Sequence, residues 1–204
     1  MLYTKKLQLL TALGILVTLV QGYRIIMRHK KIPTKYGRGT IQLENKPIRA
    51  LVVYYSLSGN TRVVAESIGR KINADLYEIR TQRKYNFVSA LLSKLQKHEQ
   101  IDLNISDLPN LSSYDVIFIG SPVWAGSIPT PLLSFLRTVD LDGKKIAPYS
   151  THRGGVGKFH AVLRENAKNA KILRTIDFYR AKKIDDISLE NMITDWLNNL
   201  ETAE

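Results

Sequence analysis

Two short apolar runs constrain the fold of this chain more than any other feature. Ala50-Leu51-Val52-Val53-Tyr54-Tyr55 and Asp115-Val116-Ile117-Phe118-Ile119-Gly120 read as strands that are apolar on both faces. Strands of that kind belong to the middle of a parallel sheet covered on both sides. Between them the pattern changes period. Arg62 to Gly69 has its apolar positions at helical spacing, as does Asn86 to His98 through Phe87, Ala90, Leu91 and Leu95. Ala74 to Ile79 reads as a second strand, Lys145 to Ser150 as a fourth and Ala170 to Phe178 as a fifth. Pro148 weighs against the fourth, because proline cannot donate to a sheet ladder. Pro129 and Pro131 open a helix through Leu132, Leu133, Phe135 and Leu136, where proline suits a first turn. Helices at 159–167 and 188–200 complete the series. Alternation of this kind predicts an α/β fold with a parallel sheet and right-handed crossovers.

The chain of 204 residues suits one globular domain with an appendage, and 44% hydrophobic content excludes large-scale disorder. It has no cysteine. Disulfides, thiolate-bound metals, iron–sulfur clusters and thiol nucleophiles are therefore excluded. His29, His98, His152 and His160 are scattered without ligand spacing, so no metal site is expected.

The net charge of +12 is unevenly placed. Lys5, Lys6, Arg24, Arg28, Lys30, Lys31, Lys35 and Arg38 precede the first acidic residue, Glu44, so 12 less 8 leaves +4 for the rest. Basic residues beside an apolar run, without interleaved aromatics, point to a membrane surface before a nucleic acid. Leu7 to Tyr23 is that run, uncharged and about 25 Å long as a helix at 1.5 Å per residue. It is near the short end for a bilayer span, and Ile25-Ile26-Met27 extend it if Arg24 snorkels. A cleaved signal peptide lacks its small-residue cleavage site here. A soluble amphipathic helix needs a polar face that this run lacks. The favoured reading is an uncleaved anchor over residues 1–29, followed by a basic linker over 30–47 and a globular domain over 48–204. Two lysines precede the span and six basic residues follow it, which directs the domain to the cytoplasm.

In a doubly wound sheet, ligands bind at the carboxyl ends of the strands. The three loops expected there are distinctive. Ser56-Leu57-Ser58-Gly59-Asn60-Thr61 is a hydroxyl-rich turn that opens a helix, the geometry that binds phosphate through backbone N–H groups and the helix dipole. It lacks the second glycine of a GxGxxG fingerprint and the lysine of a Walker A loop. Alone it is equally a capped helix start. The second loop is Gly120-Ser121-Pro122-Val123-Trp124-Ala125-Gly126. The third is Ser150-Thr151-His152-Arg153-Gly154-Gly155-Val156-Gly157.

Together, in order and spacing, these loops resemble the three FMN-contacting loops of the flavodoxin family. The resemblance covers about Ile48 to Leu200. It implies a five-stranded parallel sheet in the order 2-1-3-4-5 and noncovalent FMN as cofactor. It assigns Ser56, Ser58, Asn60 and Thr61 to the phosphate, with Gly59 permitting close approach. Pro122, Val123, Trp124, Ala125 and Gly126 line the isoalloxazine, with Trp124 as the stacking residue or, alternatively, a rim aromatic. Thr151, Gly154 and Gly155 turn backbone amides to the flavin's pyrimidine edge, beside His152 and Arg153. Electron-carrying flavodoxins are usually acidic, whereas this domain is mildly basic. Arg153 near the flavin would stabilise its reduced anion and raise the potential, unless it points to solvent. The family's second stacking aromatic is not evident, and Tyr149 sits on the expected strand.

The leading expectation is therefore an FMN-dependent redox protein at the cytoplasmic face of a membrane. Its partner would be a redox protein or a small acceptor such as a quinone. Within the same fold, an NAD(P)H-dependent quinone-type reductase is the alternative. From another class comes a flavin-free, membrane-tethered binding module. No catalytic side chain, metal or nucleic acid is implied.

Overall fold

The structure, a computed structural model, describes residues 41–43, 46–81 and 101–201. The N-terminal apolar segment and the helix expected over 86–98 lie outside the described residues. In chain order the elements are β1 (Ile41–Leu43), β2 (Lys46–Ile48), β3 (Ala50–Tyr54), α1 (Asn60–Ile72), β4 (Asp75–Glu78), β5 (Arg80–Thr81) and β6 (Leu103–Asn104). There follow β7 (Val116–Pro122), α2 (Thr130–Thr138), β8 (Lys145–His152), α3 (Phe159–Asn166), β9 (Lys171–Ile172), β10 (Ile176–Tyr179) and α4 (Asp186–Asn198). Short 3-10 turns stand at Leu111–Ser113 and Ala181–Lys183.

The main sheet runs β4-β3-β7-β8-β10 with every pair parallel, and β9 also pairs with β8. Numbered among themselves, its five longer strands stand in the order 2-1-3-4-5. Two small antiparallel pairs were not foreseen in the sequence. One joins β1 to β2, within and just past the stretch read as linker, and the other joins β5 to β6.

The two-sided apolar strands behave as their composition requires. Ala50, Val52 and Tyr54 of β3, Val116 and Phe118 of β7, and Ala147 and Tyr149 of β8 share one core with α1 and α4. Leu51, Val53, Ile117, Ile119 and Ile146 enter the other, with α2 and α3. Alternation of side chains along each strand thus fills two layers from one sheet. Side chains such as Phe118 and Trp196, edge to face at 5.5 Å in the first core, each contribute about 1.5–3 kcal/mol by burial.

Two details correct the sequence reading. The fifth strand is not continuous, because it breaks into β9 and β10. At the break Arg174 turns away to α4: its N–H donates to the Leu200 carbonyl at 3.0 Å, and its carbonyl accepts from Trp196 Nε1 at 2.8 Å. Pro148, in turn, does not end β8. The Ile146 carbonyl accepts from Leu173 N–H, so by strand alternation position 148 also faces the fifth strand. The N–H that proline lacks is therefore missing opposite the gap between β9 and β10, where no strand needs it.

Candidate functional site

The connections after β3, β7 and β8 leave the sheet at the same end and are joined through one residue. Thr151, the penultimate residue of β8, is 2% exposed. Its hydroxyl shares a 2.8 Å hydrogen bond with the Thr61 hydroxyl in the first turn of α1. Its carbonyl accepts from Val123 N–H at 2.9 Å. Loops that are 90 residues apart in sequence meet at this joint.

The first loop presents a set of backbone donors. Gly59 caps α1 at φ 84°, a left-handed conformation that glycine adopts without steric cost. Arg62 N–H is satisfied by Ser56 Oγ at 3.2 Å, and Val63 N–H by the Gly59 carbonyl at 3.2 Å. The N–H groups of Ser58, Gly59, Asn60 and Thr61 bond to no described residue. Asn60 Nδ2 donates to Ser58 Oγ at 2.9 Å, holding both side chains at the lip of the turn. Four unpaired donors at the start of a 13-residue helix fit a phosphate. The Thr61 side chain is buried in the joint with Thr151, which leaves its N–H as the group it can offer a phosphate.

The second loop is a tight reversal. Trp124 and Ser127 exchange backbone hydrogen bonds at 2.9 and 3.0 Å around Ala125 (φ 56°) and Gly126 (φ 72°). Positive φ at both central residues is the I′ arrangement of a two-residue hairpin turn. Val123 and Trp124 pack partly on the second core. The Trp124 ring meets buried Tyr55 edge to face at 5.7 Å, so the half-buried indole is braced on one side. Tyr55, which the sequence reading took only as strand, thereby becomes the support of the candidate stacking residue.

The third loop is fastened to the second at its far end. Lys158 N–H donates to the Gly126 carbonyl at 2.6 Å. Between these loops a Cβ on Gly157 would stand 2.4 Å from the Gly126 oxygen. Gly154 and Gly155, by contrast, have nothing within 4 Å of a Cβ position. They and Arg153 are exposed. His152 is half-buried, its Nδ1 hydrogen-bonded to the Gly154 carbonyl and its ring 5.7 Å from that of Tyr179.

Tyr149 is no stacking residue. It is fully buried beside Trp196, and its ring occupies the space that a Cβ on Gly120 would need, 1.9 Å away. Burial pushes its phenol well above the usual tyrosine range, and its hydroxyl has no partner among the described residues. Beneath the third loop, Asp177 on β10 accepts from Ser150 Oγ at 2.5 Å and pairs with His160 Nε2 at 2.8 Å. Partial burial opposes its charge, but the hydrogen bonds from His160 and Ser150 hold its carboxyl below the ordinary aspartate value.

Sequence reasoning missed the fourth segment at this end, Tyr179–Lys183. Tyr179 is 51% exposed, with the Arg180 guanidinium 5.1 Å from its ring centre. Lys182 N–H donates to Asn60 Oδ1 at 3.1 Å, and its Nζ donates to the Ser58 carbonyl at 2.7 Å. Nothing in the local sequence after the fifth strand signals that this lysine crosses to the first loop. Among the described residues no cluster of metal-ligating side chains is found.

Comparison with known proteins gives one family and a group of solved structures. The model of the family described as Flavodoxin matches residues 49–200. No match is found among curated protein sequences. A crystal structure from Bacteroides eggerthii, assigned as a flavoprotein by inference, is 26% identical with a TM-score of 0.63 and covers 75% of this chain and 98% of its own. One from Bacteroides uniformis, assigned likewise, is 21% identical with a TM-score of 0.64, covering 73% and 99%, and speaks for the fold alone. A flavoprotein from Lactobacillus acidophilus, in complex with FMN, is 26% identical with a TM-score of 0.55, covering 64% and 93%.

Proposed function

The chain belongs to the flavodoxin family, and from that premise we propose that it is a redox protein working through noncovalently bound FMN at the cytoplasmic face of a membrane. The observation that carries the flavin reading is the set of four unpaired N–H groups, Ser58 to Thr61, at the start of α1. The FMN complex of the similar Lactobacillus acidophilus protein supports the same cofactor here.

Bound FMN supplies one- or two-electron redox chemistry at its ring system. The chain's own residues do the rest. Ser56, Ser58, Asn60 and the loop N–H groups hold the phosphate, and the Thr61–Thr151 joint fixes that loop relative to the other two. Trp124, braced by Tyr55, limits one side of the ring site. The open backbone at Gly154 and Gly155 supplies amides to the ring edge. No side chain has to act as nucleophile or acid, since the electrons pass through the cofactor.

Location and partner rest on composition. The uncharged run Leu7 to Tyr23 and the six basic residues after it support an anchor with the domain on the cytoplasmic side. A membrane-tethered flavoprotein is placed to reduce a quinone or exchange electrons with a membrane redox protein. One observation favours the NAD(P)H-dependent reductase as a second reading: Arg153, Arg180 and Lys183 are all exposed at the site end, and none is ion-paired among the described residues. Such a rim suits an anionic substrate and raises the flavin potential.

The test is reconstitution of the full chain with FMN. Quenching of flavin fluorescence at one equivalent and shifted absorption bands are the expected result, and a chain that takes up no FMN refutes the reading. Oxidation of NAD(P)H with a soluble quinone then separates reductase from carrier. Recovery of the chain in the soluble rather than the membrane fraction refutes the anchor.

A further inference from the structure

The turn after β10 reaches over the first loop in a way that the neutral chemistry of that loop does not require. Ala181 is fully buried in the core shared with α1, which fixes the base of the turn. From there Lys182 approaches Ser58-Gly59-Asn60 with both its backbone and its side chain. Its N–H holds Asn60 Oδ1, and its ammonium holds the Ser58 carbonyl. A Cβ on Gly59 would lie 2.8 Å from Nζ and 2.9 Å from Cε, so the side chain lies directly across the glycine. An ammonium carries three donors, and only one is used here. It forms no ion pair among the described residues: Glu78 pairs with Arg62, and Asp185 accepts from Ser188 N–H. An uncompensated cation thus stands beside four unpaired N–H groups.

We propose that Lys182 is a phosphate-binding residue: its ammonium, seated on the Ser58 carbonyl, directs its free donors to the phosphate of FMN and makes the site select phosphorylated flavin over riboflavin. This rests on the FMN reading above. The side chains of Ser56, Ser58 and Asn60 are neutral, so without Lys182 the phosphate charge meets only dipoles. With it, one charge-assisted contact is added at a part of the ligand that riboflavin lacks. Binding of FMN then weakens with added salt, while binding of riboflavin does not.

The experiment titrates FMN and riboflavin into the full-length protein, its Lys182→Gln variant and its Lys182→Arg variant, following fluorescence quenching at low and high salt. Lys182→Gln should lose about tenfold or more in FMN affinity, the scale of a hydrogen bond to a charged group. Its riboflavin affinity should stay unchanged and its salt dependence flatten, and Lys182→Arg should recover most of the loss. Equal losses for both flavins would make Lys182 a brace of the loop and overturn the proposal. So would an unaltered FMN affinity in Lys182→Gln, which leaves the FMN reading standing. A wild-type chain that binds neither flavin would overturn both.

Discussion

Gly157 and its neighbours Gly154 and Gly155 belong to one connection, between β8 and α3, and are used in opposite ways. Gly157 sits at φ 60° against the backbone of Gly126, with no room for a side chain. Gly154 and Gly155 face open space. The same contrast runs through the whole site. An inner layer, made of the Thr61–Thr151 hydroxyl pair, the Val123–Thr151 bond and the Gly126–Gly157 contact, locks three loops together. An outer layer, from Ser58 through Gly154 to Lys182, leaves donors and cations uncommitted. Residue type does not distinguish the layers, because each contains glycine and hydroxyl side chains. What distinguishes them is whether another loop's backbone or hydroxyl meets them. The inner layer is where substitution should cost stability, and the outer layer is where it should cost binding.

The largest expected effect comes from Gly157→Ala. The new methyl has no flexible neighbour to push aside, since the three nearest atoms are all backbone of Gly126. A positive φ adds strain, so we expect about 2–3 kcal/mol of destabilisation, read from urea unfolding. Gly154→Ala in the same loop should leave the unfolding midpoint within about 0.5 kcal/mol, as a surface change does, and should weaken flavin binding instead. If the two variants unfold alike, the division into layers is wrong.

Next comes the threonine joint. Thr61→Val and Thr151→Val each keep shape but strand the partner hydroxyl in a buried site, and each should cost about 1–2 kcal/mol. Because one bond is lost whichever partner is changed, the double variant should cost less than the two singles together. Additive losses in that double-mutant cycle would mean that the hydroxyls act separately. Ala125→Gly reverses the sign. Ala125 holds φ 56° at an exposed turn tip, and glycine removes the steric cost of that conformation. We expect a gain of up to about 1 kcal/mol, seen as a higher urea midpoint. An unchanged or lower midpoint would place the cost of the turn elsewhere.

The sheet and the three loops were legible because their causes are local. Apolar residues on both faces mark β3 and β7, and the hydroxyl-rich turn after β3 gains its meaning from the two other loops that follow strands in the same order. What escaped the sequence depends on partners distant along the chain. Pro148 weighed against β8 until the gap in the fifth strand showed where its missing N–H falls. The hydroxyl bond of Thr61 gave no signal because its partner Thr151 is 90 residues away. Lys182 gave no signal, since its acceptor, the Ser58 carbonyl, is a backbone group that any residue offers.

The smallest effect lies beneath the third loop and is set by pH. Asp177 stands under the third loop between Ser150 and His160, and the hydrogen bonds from both hold its folded carboxyl below the ordinary value despite partial burial. A carboxyl depressed on folding stabilises the protein above its unfolded value, near 3.9, and that contribution is lost as pH falls through the folded value. Asp177→Asn removes it. The variant should therefore be less stable than wild type at neutral pH, and the gap should close progressively below about pH 4. Urea midpoints of both proteins from pH 7 down to pH 3 measure this directly. Curves that stay parallel to the acid end would show that Asp177 holds its partners by shape alone. The loop above would then owe its fixity to the backbone contacts at Thr151 and Gly157.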